Sequence, residues 1–238
     1  MQQSTGSSTT VEASNFTYNT NGNTTGESTT TYSTETQNGT SFDVRTTLTK
    51  AYSYDYTDMM SAATVSQSVD AKISGTSDPY TNSASDSASD TYVYNGDGQR
   101  VKKITGGVST KYDYTGSVVL YTADADNNKI SGNIATPSGQ IIATRDYANA
   151  TNADGSANTF ANNYYFYHYD IRGSVTTLLK PDATIEQGYS YDEYGNTKVE
   201  NSASLFHNEM SYTGAISDKT TGLSYMNSRY YNPATGTF

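Results

Sequence analysis

One short unit dictates most of what this chain can fold into: aromatic-x-Tyr-Asp/Asn-x-x-Gly, written repeatedly along 238 residues. It occurs as Phe16-Thr17-Tyr18-Asn19-Thr20-Asn21-Gly22 and as Tyr92-Val93-Tyr94-Asn95-Gly96-Asp97-Gly98. The cleanest copies are Tyr167-His168-Tyr169-Asp170-Ile171-Arg172-Gly173 and Tyr189-Ser190-Tyr191-Asp192-Glu193-Tyr194-Gly195. Two copies are degraded: Tyr52-Ser53-Tyr54-Asp55 has Asp58 in the glycine place, and Tyr112-Asp113-Tyr114-Thr115 reaches its glycine early, at Gly116. Residues two apart in a strand face the same side, so each copy sets two rings on one face. Asp or Asn then opens a turn with its side chain, and the glycine supplies a positive φ. Each copy is a strand, a tight turn and a returning strand such as Ser174 to Leu179. A lone hairpin is not stable in water, so the copies must stack. The fold expected is all-β, built of antiparallel hairpins.

Composition fits that expectation. Ile 9, Leu 6, Val 11 and Phe 6 are too few for a conventional core, and the Leu, Glu and Lys of a helical bundle are scarce. The 23 tyrosines fill the gap, since Tyr combines a large apolar ring with high β-propensity. A net charge of −10 argues against nucleic acid and anionic membrane surfaces, which call for clustered Lys and Arg. No apolar run approaches the roughly 20 residues of a membrane helix. The absence of cysteine removes disulfides, thiol catalysis and zinc-thiolate sites together.

The chain changes character near residue 90. Residues 1–90 read as a Ser/Thr-rich region of degraded repeats or partial disorder, and 91–238 as the better repeats with the C-terminal segment. Within the first part, Thr81 to Asp90 carries no core-forming side chain and reads as a solvated loop or linker.

The repeats resemble the YD repeats of the rearrangement-hotspot (Rhs) family. The C-terminal run is more specific: Tyr212-Thr213-Gly214, then Asp218-Lys219-Thr220-Thr221-Gly222-Leu223-Ser224-Tyr225, then Arg229-Tyr230-Tyr231-Asn232-Pro233-Ala234-Thr235-Gly236-Thr237-Phe238 resembles the Rhs repeat-associated core segment. The resemblance implies one continuous, spiralling sheet of hairpins, part of a shell around a C-terminal toxin or effector. Polymorphic-toxin-type and wall-associated bacterial proteins share it, which implies a secreted, extracellular or cell-surface location. The implied partners are the rest of the shell and that effector.

In several members the core segment is an aspartyl self-protease. Arg229 matches its arginine, but Asn232 stands where the motif has aspartate, and the further aspartyl motifs would lie beyond Phe238. This chain alone is therefore expected not to cleave itself, and Arg229 is read as a structural arginine stacked on Tyr230 or Tyr225 or paired with a carboxylate. No enzyme is expected. The residues singled out are structural: Tyr18, Asn19, Gly22, Tyr92, Tyr94, Asn95, Gly98, Tyr167, Tyr169, Asp170, Gly173, Tyr189, Tyr191, Asp192, Gly195, Gly222, Tyr230, Tyr231, Pro233 and Gly236.

Other candidates weaken on inspection. His168 alternates with Tyr167 and Tyr169 and should face solvent, and His207 has no partners at metal spacing, so no metal and no cofactor is expected. Asp124-Ala125-Asp126-Asn127-Asn128 begins like a calcium loop, but Lys129 takes the glycine place and Ala135 the bidentate glutamate place. Asn152-Ala153-Asp154-Gly155 reads as another solvated turn. Exposed tyrosines beside Asn and Asp are also what a sugar-binding face uses. That gives the competing reading, an extracellular adhesion module binding glycans or a partner protein.

Overall fold

A computed structural model describes residues 10–147, 164–200, 206 and 208–238. His207 and the turn at 152–155 lie outside them. The chain divides into two compact units, Met1–Thr91 and Tyr92–Phe238.

The first unit is a meander of long strands: β1 (Thr10–Tyr18), β2 (Thr24–Gln37), β3 (Thr40–Tyr54), β4 (Met60–Ile73) and β5 (Thr81–Tyr94), whose last three residues belong to the second unit. Consecutive strands pair antiparallel. Cross-strand charges mark the register, because a one-residue slip would send every side chain to the other face. Glu27 lies opposite Lys50, Arg45 opposite Asp70 and Asp43 opposite Lys72. These give ion pairs of 3.5, 2.8 and 3.9 Å. One face buries Val44, Tyr52 and Ala63. The other sets Thr30, Thr47 and Ser68 in one cross-strand row and Ser28, Thr49, Ser66 and Ser87 in the next.

The segment Thr81–Asp90 is strand, not linker. It pairs with β4 from Ala71↔Thr81 to Ala62↔Thr91. The backbone ladder requires no large side chain, and Ser and Ala are small enough to follow the long β4 template.

In the second unit the strands are shorter: β6 (Arg100–Thr105), β7 (Val108–Thr115), β8 (Val118–Ala123), β9 (Lys129–Ala135), β10 (Ile141–Asp146), β11 (Tyr164–Tyr169), β12 (Val175–Leu179), β13 (Ile185–Tyr191) and β14 (Thr197–Glu200). They too pair antiparallel in chain order. A separate three-stranded sheet follows, β15 (Ile216–Asp218), β16 (Leu223–Met226) and β17 (Arg229–Tyr231). The helical content of the described residues is a single 3-10 turn at Tyr212–Gly214. The fold is thus antiparallel β, as the repeat unit predicts.

The repeat turns share one geometry. Asn19, Asn95, Asp170 and Asp192 each accept backbone N–H bonds on the side-chain oxygen from residues two and four ahead, at 2.8 to 3.1 Å. Gly22, Gly98, Gly173 and Gly195 close them with φ of 85, 78, 81 and 89°. In the degraded copy Asp58 itself adopts φ 61°. Its carboxylate accepts from the side-chain amides of Asn21 and Asn23 at 2.8 to 3.0 Å, so the neighbouring turn holds the strained residue. Asp124 makes the same turn, accepting from the N–H groups of Asp126 and Asn128 at 2.9 and 2.8 Å. Its resemblance to a calcium loop is therefore the resemblance of any aspartate-opened turn.

Candidate functional site

The second unit carries its chemistry where the C-terminal segment meets the strands β6 and β7. Asp218 ends β15 and opens a tight turn, with Gly222 N–H donating to the Asp218 carbonyl at 2.8 Å and Gly222 at φ 73°. That turn leaves the Asp218 carboxylate fully buried. Its Oδ2 accepts from Arg100 Nη1 at 3.1 Å and from the Tyr92 hydroxyl at 3.0 Å. Its Oδ1 accepts from Lys103 Nζ at 3.1 Å. Lys103 Nζ also stands 3.8 Å from Glu209 Oε1. Glu209 in turn accepts from the Tyr112 hydroxyl at 3.0 Å. Two cations and two carboxylates thus form one neutral group.

Tyrosine rings wall it in. The Arg100 guanidinium lies 4.6 Å from the centroid of Tyr225, 5.1 Å from Tyr112, 5.4 Å from Tyr92 and 5.9 Å from Tyr230. Arg100 Nε and Nη2 have no hydrogen-bond acceptor, so the ring faces are what meets that side of the charge. Arg100 Nη1 also donates to the Tyr230 hydroxyl at 3.2 Å, which pairs with that of Tyr94 at 3.1 Å. The backbone N–H of Arg100 donates to the Tyr225 hydroxyl at 2.8 Å.

Burial pulls against the Arg100 charge, but the oxygens of Tyr112, Tyr230 and Asp218 outweigh it and hold the guanidinium pKa well above its ordinary value. Burial pushes the Tyr230 hydroxyl up to about 12 and carries Tyr112 well above the phenol range. At neutral pH these phenols stay protonated and serve as donors.

Two further contacts fix the same segment. Asn208 accepts from the Tyr167 hydroxyl at 2.9 Å and donates to that of Tyr189 at 2.9 Å, while Phe206 stacks on Tyr165 at 4.4 Å. At the last repeat turn, Tyr191 packs on Tyr212 and Tyr212 on Tyr231. The Tyr231 hydroxyl donates to the Tyr194 carbonyl at 2.8 Å, and Asn196 donates to the Pro233 carbonyl at 3.1 Å. Gly195 and Gly236 make this approach possible: a Cβ on the first would sit 2.5 Å from Tyr212, and on the second 2.8 Å from Tyr194. Between the short strands and the C-terminal segment lies a cavity of about 490 Å³, lined among others by Lys103, Thr110, Tyr112, Tyr167, Phe206 and Glu209.

The residues named from sequence fall into three places. Tyr92, Tyr94 and Tyr230 surround Arg100, Tyr167 and Tyr189 hold Asn208, and Tyr191, Gly195, Tyr231, Pro233 and Gly236 form the contact at the last turn. The Tyr169 hydroxyl donates to the Ile141 carbonyl. Tyr18 is exposed at the end of β1. His168 is exposed, on the face opposite buried Tyr167. Arg229 does not lie on Tyr230 or Tyr225: β17 alternates, which turns Arg229 outward, and it packs 4.5 Å from the Phe238 ring. The arginine on those tyrosines is Arg100. Asn232 opens the last turn, its Oδ1 accepting from the Ala234 N–H at 3.0 Å.

Sequence reasoning missed Arg100, Lys103, Glu209 and Asp218. The available signal was slight: three basic residues, Arg100, Lys102 and Lys103, directly after a repeat turn in a chain with only 14 Lys and Arg. Among the described residues no group of His, Asp and Glu is arranged to hold a metal, and no helix is long and apolar enough to cross a membrane.

No protein-family description matches the chain. Over 151 residues, 62% of its length, it is 33% identical to the tRNA nuclease WapA of Bacillus subtilis strain 168. Over the same length it is 34% identical to the tRNA3(Ser)-specific nuclease WapA of Bacillus spizizenii. The match spans 6% of each of those proteins. Among solved structures, the Photorhabdus luminescens Tc holotoxin pore with a mutated TccC3 superposes over 92% of this chain and 15% of its own, with a TM-score of 0.46 and 15% identity. A crystal structure of TcdB2-TccC3 without its hypervariable C-terminal region gives 0.46 and 15% identity over 94% of this chain and 15% of its own.

Proposed function

We propose that the chain is a scaffold segment of a larger YD-repeat protein that encloses and presents a C-terminal effector outside the producing bacterium. The observation that carries this reading is the fully buried Arg100–Asp218 pair, which fastens the C-terminal strands to the repeat sheet across more than a hundred residues. Such a fastening holds a wall in place, and the Asp218 carboxylate is spent on the donors around it. The similarity to the WapA nucleases over a small part of their length supports a segment role, with tRNA cleavage assigned to another region of such a protein.

The test is direct. The purified chain should leave bulk tRNA intact, and Asp218→Ala should open residues 206–238 to limited proteolysis while the native chain resists. Cleavage of tRNA by the chain would overturn the scaffold reading. Specific retention on a glycan array, lost when exposed Tyr56 and Tyr194 are replaced, would put the adhesion reading in its place.

A further inference from the structure

The ion network also has the composition of a reaction centre. We propose that Lys103 and Asp218 condense to an intramolecular isopeptide bond, with Glu209 as the proton shuttle, and so crosslink β6 covalently to the C-terminal sheet. This goes beyond the scaffold reading and does not depend on it.

The reactants are already in contact. Lys103 Nζ is 3.1 Å from Asp218 Oδ1, the oxygen bonded to the carbon it must attack. The Asp218 side chain has no solvent exposure and that of Lys103 has 11%. Amide formation needs a neutral amine and an activated carboxyl. Passing a proton from the ammonium to a carboxylate removes two buried charges at once and leaves that neutral amine. Glu209 Oε1, 3.8 Å from Nζ, is the nearby base for the transfer.

The polarising groups sit on the other oxygen. Arg100 Nη1 at 3.1 Å and the Tyr92 hydroxyl at 3.0 Å both donate to Oδ2, where negative charge gathers when the nitrogen adds to Cγ. Oδ1, the oxygen facing Lys103, is then the one that leaves. The balance is complete: Nζ–Cγ forms, Cγ–Oδ1 breaks, and Nζ gives up two of its three protons. Glu209 relays both to Oδ1, which departs as water, and Glu209 ends as the carboxylate it was. No oxidant, metal or cofactor takes part.

Charge supports the product as well as the reactants. Before reaction Arg100 and Lys103 balance Asp218 and Glu209. Afterwards Lys103 and Asp218 are both neutral, and the remaining charges, Arg100 and Glu209, still sum to zero. The leaving water has somewhere to go, because Lys103 and Glu209 both line the cavity of about 490 Å³. Groups held at contact distance reach effective molarities of about 10⁵–10⁸ M, which favours intramolecular condensation over attack by water.

Intact-mass spectrometry of the purified chain decides the matter. The expected mass is lower than that of the sequence by one water, and proteolysis should release a branched peptide joining the Lys103 and Asp218 segments. Dehydration at an Asp-Gly step would give the same deficit, so the control is Lys103→Arg, which must restore the full mass. Glu209→Gln should also restore it while leaving the circular dichroism of the native chain. A native chain of full mass, giving separate linear peptides after prolonged incubation, overturns the proposal. So does a deficit that survives Lys103→Arg, and a folded Glu209→Gln chain that still loses water removes the shuttle.

Discussion

The two units use the same hairpin connection but are held by different means. In the first, strands of 14 and 15 residues pair along most of their length, and the side chains between them are largely Ser, Thr and Ala. In the second, strands of four to eight residues present tyrosines and a few aliphatic side chains to a separate C-terminal segment. Tyr112, Val119, Ile216 and Tyr225 form one cluster there, and Ile141, Tyr167, Val175, Leu178 and Phe206 another. Length of ladder substitutes for core in the first unit; a docked segment supplies core in the second.

That difference places the largest expected effect in the second unit. Asp218→Ala leaves Arg100 charged and buried without the oxygen that accepts its Nη1, and should cost about 3–5 kcal/mol. The matching change in the first unit, Asp70→Ala, removes the partner of Arg45, whose side chain is 38% exposed. Solvent screens that charge, so the cost should be about 1 kcal/mol or less. Denaturant titration followed by tyrosine fluorescence measures both. Equal losses would show that the two units do not differ as described.

Glycines sharpen the comparison within the second unit. Gly195→Ala meets both a left-handed backbone at φ 89° and the Tyr212 ring 2.5 Å from the new Cβ. Gly173→Ala meets only the backbone at φ 81°, with open space around it. The backbone alone should cost about 1–2 kcal/mol, and overpacking should add about 1–3 kcal/mol at Gly195. A smaller loss at Gly195 than at Gly173 would mean that Tyr212 is not held against the turn.

Much of this was readable in advance, for a physical reason. A turn is a local object, so Asp170, Gly173, Asp192 and Gly195 announce themselves within seven residues, and the alternation of Tyr167, His168 and Tyr169 assigns faces without further information. The Arg100–Asp218 pair is not local: its members are 118 residues apart, and each follows or opens a turn where a charge ordinarily meets water. Thr81–Asp90 failed for the opposite reason, since its side chains are weak evidence and its neighbour β4 decides. At Asp124 the spacing excludes an ion-binding loop, and the side chain accepts the N–H groups of Asp126 and Asn128 as the repeat turns do.

Acid should separate the aspartate-opened turns from the others next. The carboxyls of Asp124, Asp182 and Asp192 lie below the ordinary aspartate range chiefly through hydrogen bonds from Asn128, Thr184 and Asn196. At Asp170 burial is the largest single effect and raises the carboxyl, but the backbone N–H groups of Ser174 and Arg172 and the Arg172 side chain together outweigh it and leave it lowered. A carboxyl depressed in the folded state stabilises it above the unfolded pKa of about 4, and that contribution disappears as pH falls through the folded value. The first unit has Asp55 of this kind, lowered first by Thr57, while the turn at Asn19 cannot titrate. Amide shifts at Arg172, Ser174, Tyr194 and Asn196 should therefore move as the pH drops below about 4, while those of Gly139 and Gln140, in the turn opened by Thr136, should stay. Joint movement of both sets would mean global unfolding, not loss of individual turns.

The smallest expected effect tests the claim about ladders most closely. Thr47 stands between Thr30 and Ser68 in the hydroxyl row of the first unit, with a long 3.4 Å contact to the Thr30 hydroxyl. If the backbone ladder holds these strands, removing that hydroxyl and its methyl changes little, because the row is only partly buried and water can replace the contact. Thr47→Ala should then shift stability by no more than about 0.5 kcal/mol, the β-propensity of threonine included. Ser66→Val, one row along, exchanges a hydroxyl for a branched side chain that suits a pleated surface, and should be neutral or slightly stabilising. A loss of more than about 1 kcal/mol from either change would mean that the hydroxyl rows are themselves packed against something. The first unit would then depend on a docked partner, as the second depends on its C-terminal segment.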